Sequence, residues 1–167
     1  MAATGTVALP YEFMLKEIKV TGVKATGGRF AIIASKYNAR YVDAMVRAAT
    51  AVLKKAKAEE IQVVRVPGAF EIPLVAVKIA SGSPSPSAII CLGVILRGAT
   101  THAQSISDVV SYALGTIALQ SQTPVVHEVL LLENEQQARE RCLSKTHNRG
   151  AEAALTAIEM SNLLTRL

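Results

Sequence analysis

The chain has 167 residues, half of them hydrophobic, 19% charged and 4% aromatic, with no tryptophan and a formal net charge of +5. That length fits one domain of about 150 residues with a short extension, and such a hydrophobic composition excludes a disordered chain. Scarce aromatics and the lack of long basic runs argue against nucleic acid as a partner, while a small anion such as phosphate stays open.

In chain order, residues 17–23 alternate with Ile18 and Val20 on one face, and then glycines at 22, 27 and 28 break the pattern. The spacing predicts a short extra strand without a crossover partner, suited to a neighbouring subunit's sheet edge. Residues 1–28 are therefore read as an N-terminal extension and 29–167 as the domain. The apolar run 30–34 reads as a first strand. Val42, Met45, Val46, Ala49, Val52 and Leu53 follow at helical spacing and predict a helix over 41–57, with lysines at its C-terminal end. Residues 61–66 read as the second strand and 70–81 as the second helix, with Pro73 in its first turn. The Ser/Pro-rich stretch 81–87 is a loop, 88–96 a third strand, and 106–121 a third helix. A fourth strand over 124–132 and helices over 135–142 and 150–164 complete the chain. Continuous apolar strands alternating with helices predict a parallel four-stranded sheet in a doubly wound three-layer α/β/α sandwich. Ligands in such folds sit beyond the C-terminal ends of the strands.

Chemically able residues do follow the strands. Tyr37 and Asn38 come after the first, Gly68 to Glu71 after the second, and Arg97 to His102 after the third. In Arg97-Gly98-Ala99-Thr100-Thr101-His102 the glycine allows a tight turn. The threonines precede a helix N-terminus, a natural anion site, and the histidine is suited to proton transfer near neutrality. On spacing alone, a hydroxyl helix cap with an exposed histidine fits as well. Glu71 reads as a helix-dipole carboxylate or, together with free backbone amides, as a group for a ligand hydroxyl. Arg141, Lys145 and Arg149 form a cationic cluster, either a solvated basic face or a phosphate anchor. His127 reads as a hydrogen-bonded core histidine and Cys91 as a core residue. The two cysteines, Cys91 and Cys142, form neither a disulfide framework nor a CxxC pair, which fits a reducing cytoplasm. No metal-ligand spacing or phosphate-binding glycine motif occurs. No apolar run approaches the ~18 residues of a membrane span, and the start lacks the basic-then-apolar pattern of a secretory signal.

Three stretches carry a family resemblance. They are Val66-Pro67-Gly68-Ala69-Phe70-Glu71-Ile72-Pro73, Leu92-Gly93 with Arg97 to His102, and Asn148-Arg149-Gly150-Ala151-Glu152-Ala153-Ala154 with Ile158-Glu159-Met160. Together, over residues 29–164 and in the family's order, they resemble the 6,7-dimethyl-8-ribityllumazine synthases of riboflavin biosynthesis. The resemblance implies a flavodoxin-like winding. It implies condensation of 5-amino-6-(ribitylamino)uracil with 3,4-dihydroxy-2-butanone 4-phosphate, without metal or organic cofactor. It implies His102 as the acid–base residue, and Ala99, Thr100 and Arg141 as the phosphate site, with Lys145 near that end. Ala69, Phe70, Glu71, Val94, Ile95 and Leu96 would line the pocket for the ribityl-uracil. Tyr37 would take the place of the ring-stacking aromatic, with Asn38 beside it. It implies a homo-oligomer, a pentamer or a 60-subunit shell, with His127 contributed across the interface and riboflavin synthase as a candidate partner. The sequence departs from the family at His127, where a phenylalanine is usual, and at Glu128, where a glycine is. Ala103-Gln104 replace an aromatic and an acid, and residues 143–148 lack the family's glycines. These departures keep a second reading open, that of a non-catalytic lumazine- or flavin-binding or shell-forming paralogue.

Overall fold

The computed structural model describes residues 24–25 and 28–167. Four strands, β1 (Arg29–Ser35), β2 (Glu60–Val66), β3 (Ala88–Leu96) and β4 (Val125–Leu132), form one sheet in the order β2-β1-β3-β4, with every neighbouring pair parallel. Five helices connect and cover them: α1 (Ala39–Lys55), α2 (Ile72–Ala80), α3 (His102–Ser121), α4 (Glu135–Cys142) and α5 (Arg149–Leu164). The expected extra strand over 17–23 lies outside the described residues.

The alternation of side chains along β1 and β3 divides the core in two. Phe30, Ile32, Ile90 and Leu92 pack against Met45 and Leu53 of α1 and Ala154 and Ile158 of α5. Ala31, Ile33, Ile89 and Cys91 pack against Ile72 and Ala76 of α2 and Val110 and Leu114 of α3. Both faces of the central strands are thus dry, which is why their sequences are apolar throughout. Each fully buried Ile, Leu or Met contributes roughly 1.5–3 kcal/mol. Edge strand β2 is more open, with Gln62 and Val63 exposed. Helix α5 approaches α1 so closely that a Cβ at Gly150 would overlap the Met45 carbonyl, so only glycine fits there.

Three helix starts differ from the periodicity. Helix α1 begins at Ala39, because Asn38 takes the left-handed conformation (φ 56°, ψ 39°) and turns the chain directly out of β1. Helix α2 begins at Ile72, with Glu71 as its N-cap. Helix α3 begins at His102, four residues before the first apolar periodic position, because the Thr101 carbonyl accepts from the Ser105 N–H at 3.1 Å. Asn38 also donates from Nδ2 to the Val94 carbonyl at 2.8 Å, fastening the β1–α1 turn to β3. Asn38→Ala loses that bond and strains the left-handed backbone, for an expected loss of about 2 kcal/mol. Asn38→Gly keeps the backbone relaxed and loses about half as much. Urea unfolding compares them, and equal losses in the two variants would remove the backbone part of the argument.

Candidate functional site

The C-terminal rim of the sheet gathers most of the residues singled out from the sequence. After β1, the backbone N–H groups of Lys36 and Tyr37 donate to the Pro67 carbonyl, at 3.2 and 3.3 Å, so the first two strand ends are joined. The Tyr37 ring lies over Gly68: a Cβ there would sit 3.2 Å from Tyr37 Cδ2 and 2.9 Å from Glu71 Oε2. Glycine is what permits this stacking. Glu71 Oε2 accepts from the Gly68 N–H at 2.7 Å. That amide, expected to be free for a ligand, is taken by the protein's own carboxylate. Ala69 is buried below, while Phe70 and the Tyr37 ring stand exposed. Val94 and Ile95 are buried at the end of β3, and Leu96 is half-buried.

At the turn after β3 the hydroxyl cap expected from the spacing does not form. Thr101 is the N-cap of α3, yet no side chain caps the helix and its first turn holds no acid. By contrast, Asn134 caps α4 and Asn148 caps α5 through their side chains. Among the described residues the N–H groups of His102, Ala103 and Gln104 have no intrachain acceptor, as expected of an uncapped helix start. A long helix therefore ends in open donors and an uncompensated positive dipole, the physical requirement for binding an anion. Ala99, Thr100 and His102 are exposed at this point. A network absent from the sequence reading braces the turn. Arg97 donates to Glu133 Oε1 and to Gln104 Oε1, both at 2.8 Å, and Gln104 Nε2 donates to Asp108 Oδ1 at 2.7 Å. The i,i+4 spacing of Gln104 and Asp108 was its only signal in the sequence.

His127 is not brought to this rim. His127 pairs in register with Cys91, five residues short of the end of β4, or about 16 Å along the strand. It is half-buried and hydrogen-bonded: Nε2 lies 2.8 Å from Ser111 Oγ, and Nδ1 accepts from the Val129 N–H at 3.3 Å. Burial pulls its pKa below 6.5, against a smaller opposing contribution from a backbone hydrogen bond. On the opposite face of β4, buried Glu128 meets Arg149 through Nη2–Oε1 at 3.0 Å and Nε–Oε2 at 3.1 Å, and Arg149 also binds Glu152 at 2.7 Å. The expected cationic cluster is therefore split, with the Arg149 charge compensated by two acids. Arg141 acts electrostatically on Glu128 and forms no hydrogen bond or ion pair among the described residues; Lys145 is exposed. The glycine-free turn is held by Ser144 Oγ, which accepts from the Thr146 and His147 N–H groups, and by Asn148, which bonds the Cys142 carbonyl and the Gly150 N–H.

Cys91 is wholly buried and burial pushes its thiol far up, so it is a core residue rather than a nucleophile. Among the described residues no three metal-ligating side chains cluster, and no helix is long and apolar enough to cross a membrane. One subunit thus carries two separate sets of polar groups: an uncapped helix start with a histidine at the rim and, further along β4, a hydrogen-bonded histidine on one face with an arginine–glutamate pair on the other. A family model described as 6,7-dimethyl-8-ribityllumazine synthase matches residues 27–165, a span that takes in both sets and every strand and helix around them. The chain therefore belongs to the 6,7-dimethyl-8-ribityllumazine synthase family, transferases of riboflavin biosynthesis.

Proposed function

We propose that the protein condenses 5-amino-6-(ribitylamino)uracil with 3,4-dihydroxy-2-butanone 4-phosphate to 6,7-dimethyl-8-ribityllumazine, releasing phosphate and water. The observation that carries this reading is the uncapped start of α3 with His102 as its first residue, beside the Tyr37–Gly68–Glu71 cluster. The amine of the pyrimidine attacks the ketone, and loss of water leaves a Schiff base. Elimination then breaks the C–O bond to phosphate, and ring closure expels a second water. Each step moves protons between positions within reach of a single base, and His102 is the group placed for this. The open amides of His102 to Gln104, with Ala99 and Thr100 beside them, hold the phosphate as its charge grows on leaving. Tyr37, Ala69 to Glu71 and Val94 to Leu96 form the wall for the pyrimidine and its ribityl chain. Holding the two reactants in register supplies much of the rate.

The site is completed by a second copy of the chain, which brings His127, Arg141 and Lys145. The distance of His127 from the strand ends that lead to His102 supports this reading. So do the exposed apolar residues on the outer faces of α2 and α3, among them Leu74, Val77, Val109, Tyr112 and Leu119, which a second copy would cover. The direct test follows lumazine absorbance on mixing both substrates with the protein; binding of lumazine without turnover would favour a non-catalytic oligomer. The shared site has its own test. His102→Ala and Arg141→Ala subunits, each slow alone, are unfolded and refolded together. Random mixing restores about one quarter of the sites. No recovery in mixed oligomers would place both residues in one subunit's site.

A further inference from the structure

We infer that Ser111 is a positioning residue that fixes the His127 imidazole as its neutral Nε2–H tautomer, making the ring a wall that offers its face and no free nitrogen. This rests on the proposed reading in which His127 meets the pyrimidine of a neighbouring subunit's site.

The hydrogen-bond directions leave one arrangement. The Val129 N–H donates to Nδ1, so Nδ1 carries no proton. The neutral ring then bears its proton on Nε2, which faces Ser111 Oγ at 2.8 Å. The Ser111 hydroxyl donates onward to the Ser107 carbonyl at 2.8 Å, so its oxygen is left to accept from Nε2–H. Protonating Nδ1 would set two donors against each other. Among the described residues the surroundings add no charge that favours the imidazolium; only a backbone hydrogen bond works weakly that way. Cys91, beside His127 on β3, stays a protonated thiol in its buried position. Asp108, one turn before Ser111 on α3, is engaged by Gln104. Glu128, next along β4, is paired with Arg149 on the other face of the sheet. Both ring nitrogens are thus satisfied inside the subunit, and a ligand can meet only carbon edges and the π face. A histidine so held takes a flat heterocycle by stacking and adds no charge to it.

Long-range nitrogen NMR on histidine-labelled protein, with His127 assigned by substitution, reads the tautomer directly. The expected wild-type result is a single Nε2–H form whose pKa lies below 6.5. Ser111→Ala preserves the helix, removes the acceptor and mixes the tautomers. In that variant KM for the pyrimidine rises about five-fold, from the loss of one hydrogen bond, while kcat does not change. Ser111→Thr restores the wild-type tautomer. In a His127→Phe background Ser111→Ala leaves KM unmoved. A His127 that titrates near 6.5 in the wild type, or a tautomer indifferent to Ser111→Ala, overturns the inference. A locked tautomer in a protein without lumazine formation would instead overturn the proposed function and leave the lock standing.

Discussion

Replacing His102 by alanine slows lumazine formation about 10²-fold, the lower end of what a positioned acid–base group contributes. On the proposed mechanism the loss is expected in kcat, because the His102 imidazole would handle protons in the bond-making steps, while its backbone N–H at the anion site is kept in the variant. Its side chain is exposed and forms no hydrogen bond among the described residues, so the unfolding midpoint is expected to stay where it is. His102→Gln, which keeps a polar group but cannot exchange a proton near neutrality, behaves like the alanine variant. Stopped-flow absorbance with both substrates, alongside thermal unfolding, checks the pair. A variant as fast as the wild type would take His102 out of the mechanism and leave the anion-binding turn as a positioning device alone.

That turn shows where the sequence was readable and where it was not. Third strand 88–96 and short helix 135–142 were legible to the residue, because the continuous apolar run and the sharp change to polar residues mark their ends. The start of α3 was not. Its first apolar periodic residue is Ile106, and nothing in the pattern shows that the chain is already helical at His102. The open amides depend on that earlier start, and on neither Thr100 nor Thr101 capping it, which only the backbone path decides. Glu71 illustrates the same limit: spacing put it near the Pro67-Gly68 turn, but its capture of the Gly68 N–H follows from how tightly the turn closes. His127 was legible as hydrogen-bonded, yet its partner Ser111 lies on another element and carries no motif. The split of the cationic cluster was hidden for a similar reason. Arg149 and Glu128 are 21 residues apart and meet only because α5 crosses the end of β4's face.

Arg149→Met is expected to cost about 3 kcal/mol of stability near neutral pH, and Glu128→Gln about 1 kcal/mol or less. The asymmetry follows from which charge is left behind. Glu128 has a side chain only 10% exposed, whereas Arg149 retains a second acid, Glu152, and more contact with water. Burial pushes the Glu128 pKa above 4.5, with Glu152 adding to the shift and Arg149 and Arg141 opposing it. Without Arg149 the carboxylate keeps its burial and its repulsion from Glu152, so its pKa rises further. The sign is then fixed. A carboxyl group with a raised folded pKa binds more protons in the native than in the unfolded state between 4.5 and the raised value, so stability falls as pH rises through that window. The Arg149→Met deficit therefore shrinks on acidification from about pH 7.5 to about pH 5. The double variant with Glu128→Gln loses this pH dependence. Arg149 is also a cation on the first turn of α5, where the helix dipole opposes it, so its place there depends on both acids. Urea unfolding of the two single variants and the double at each pH measures all three effects. A deficit of equal size at both pH values would show that Arg149 acts through packing and not by neutralising the buried Glu128.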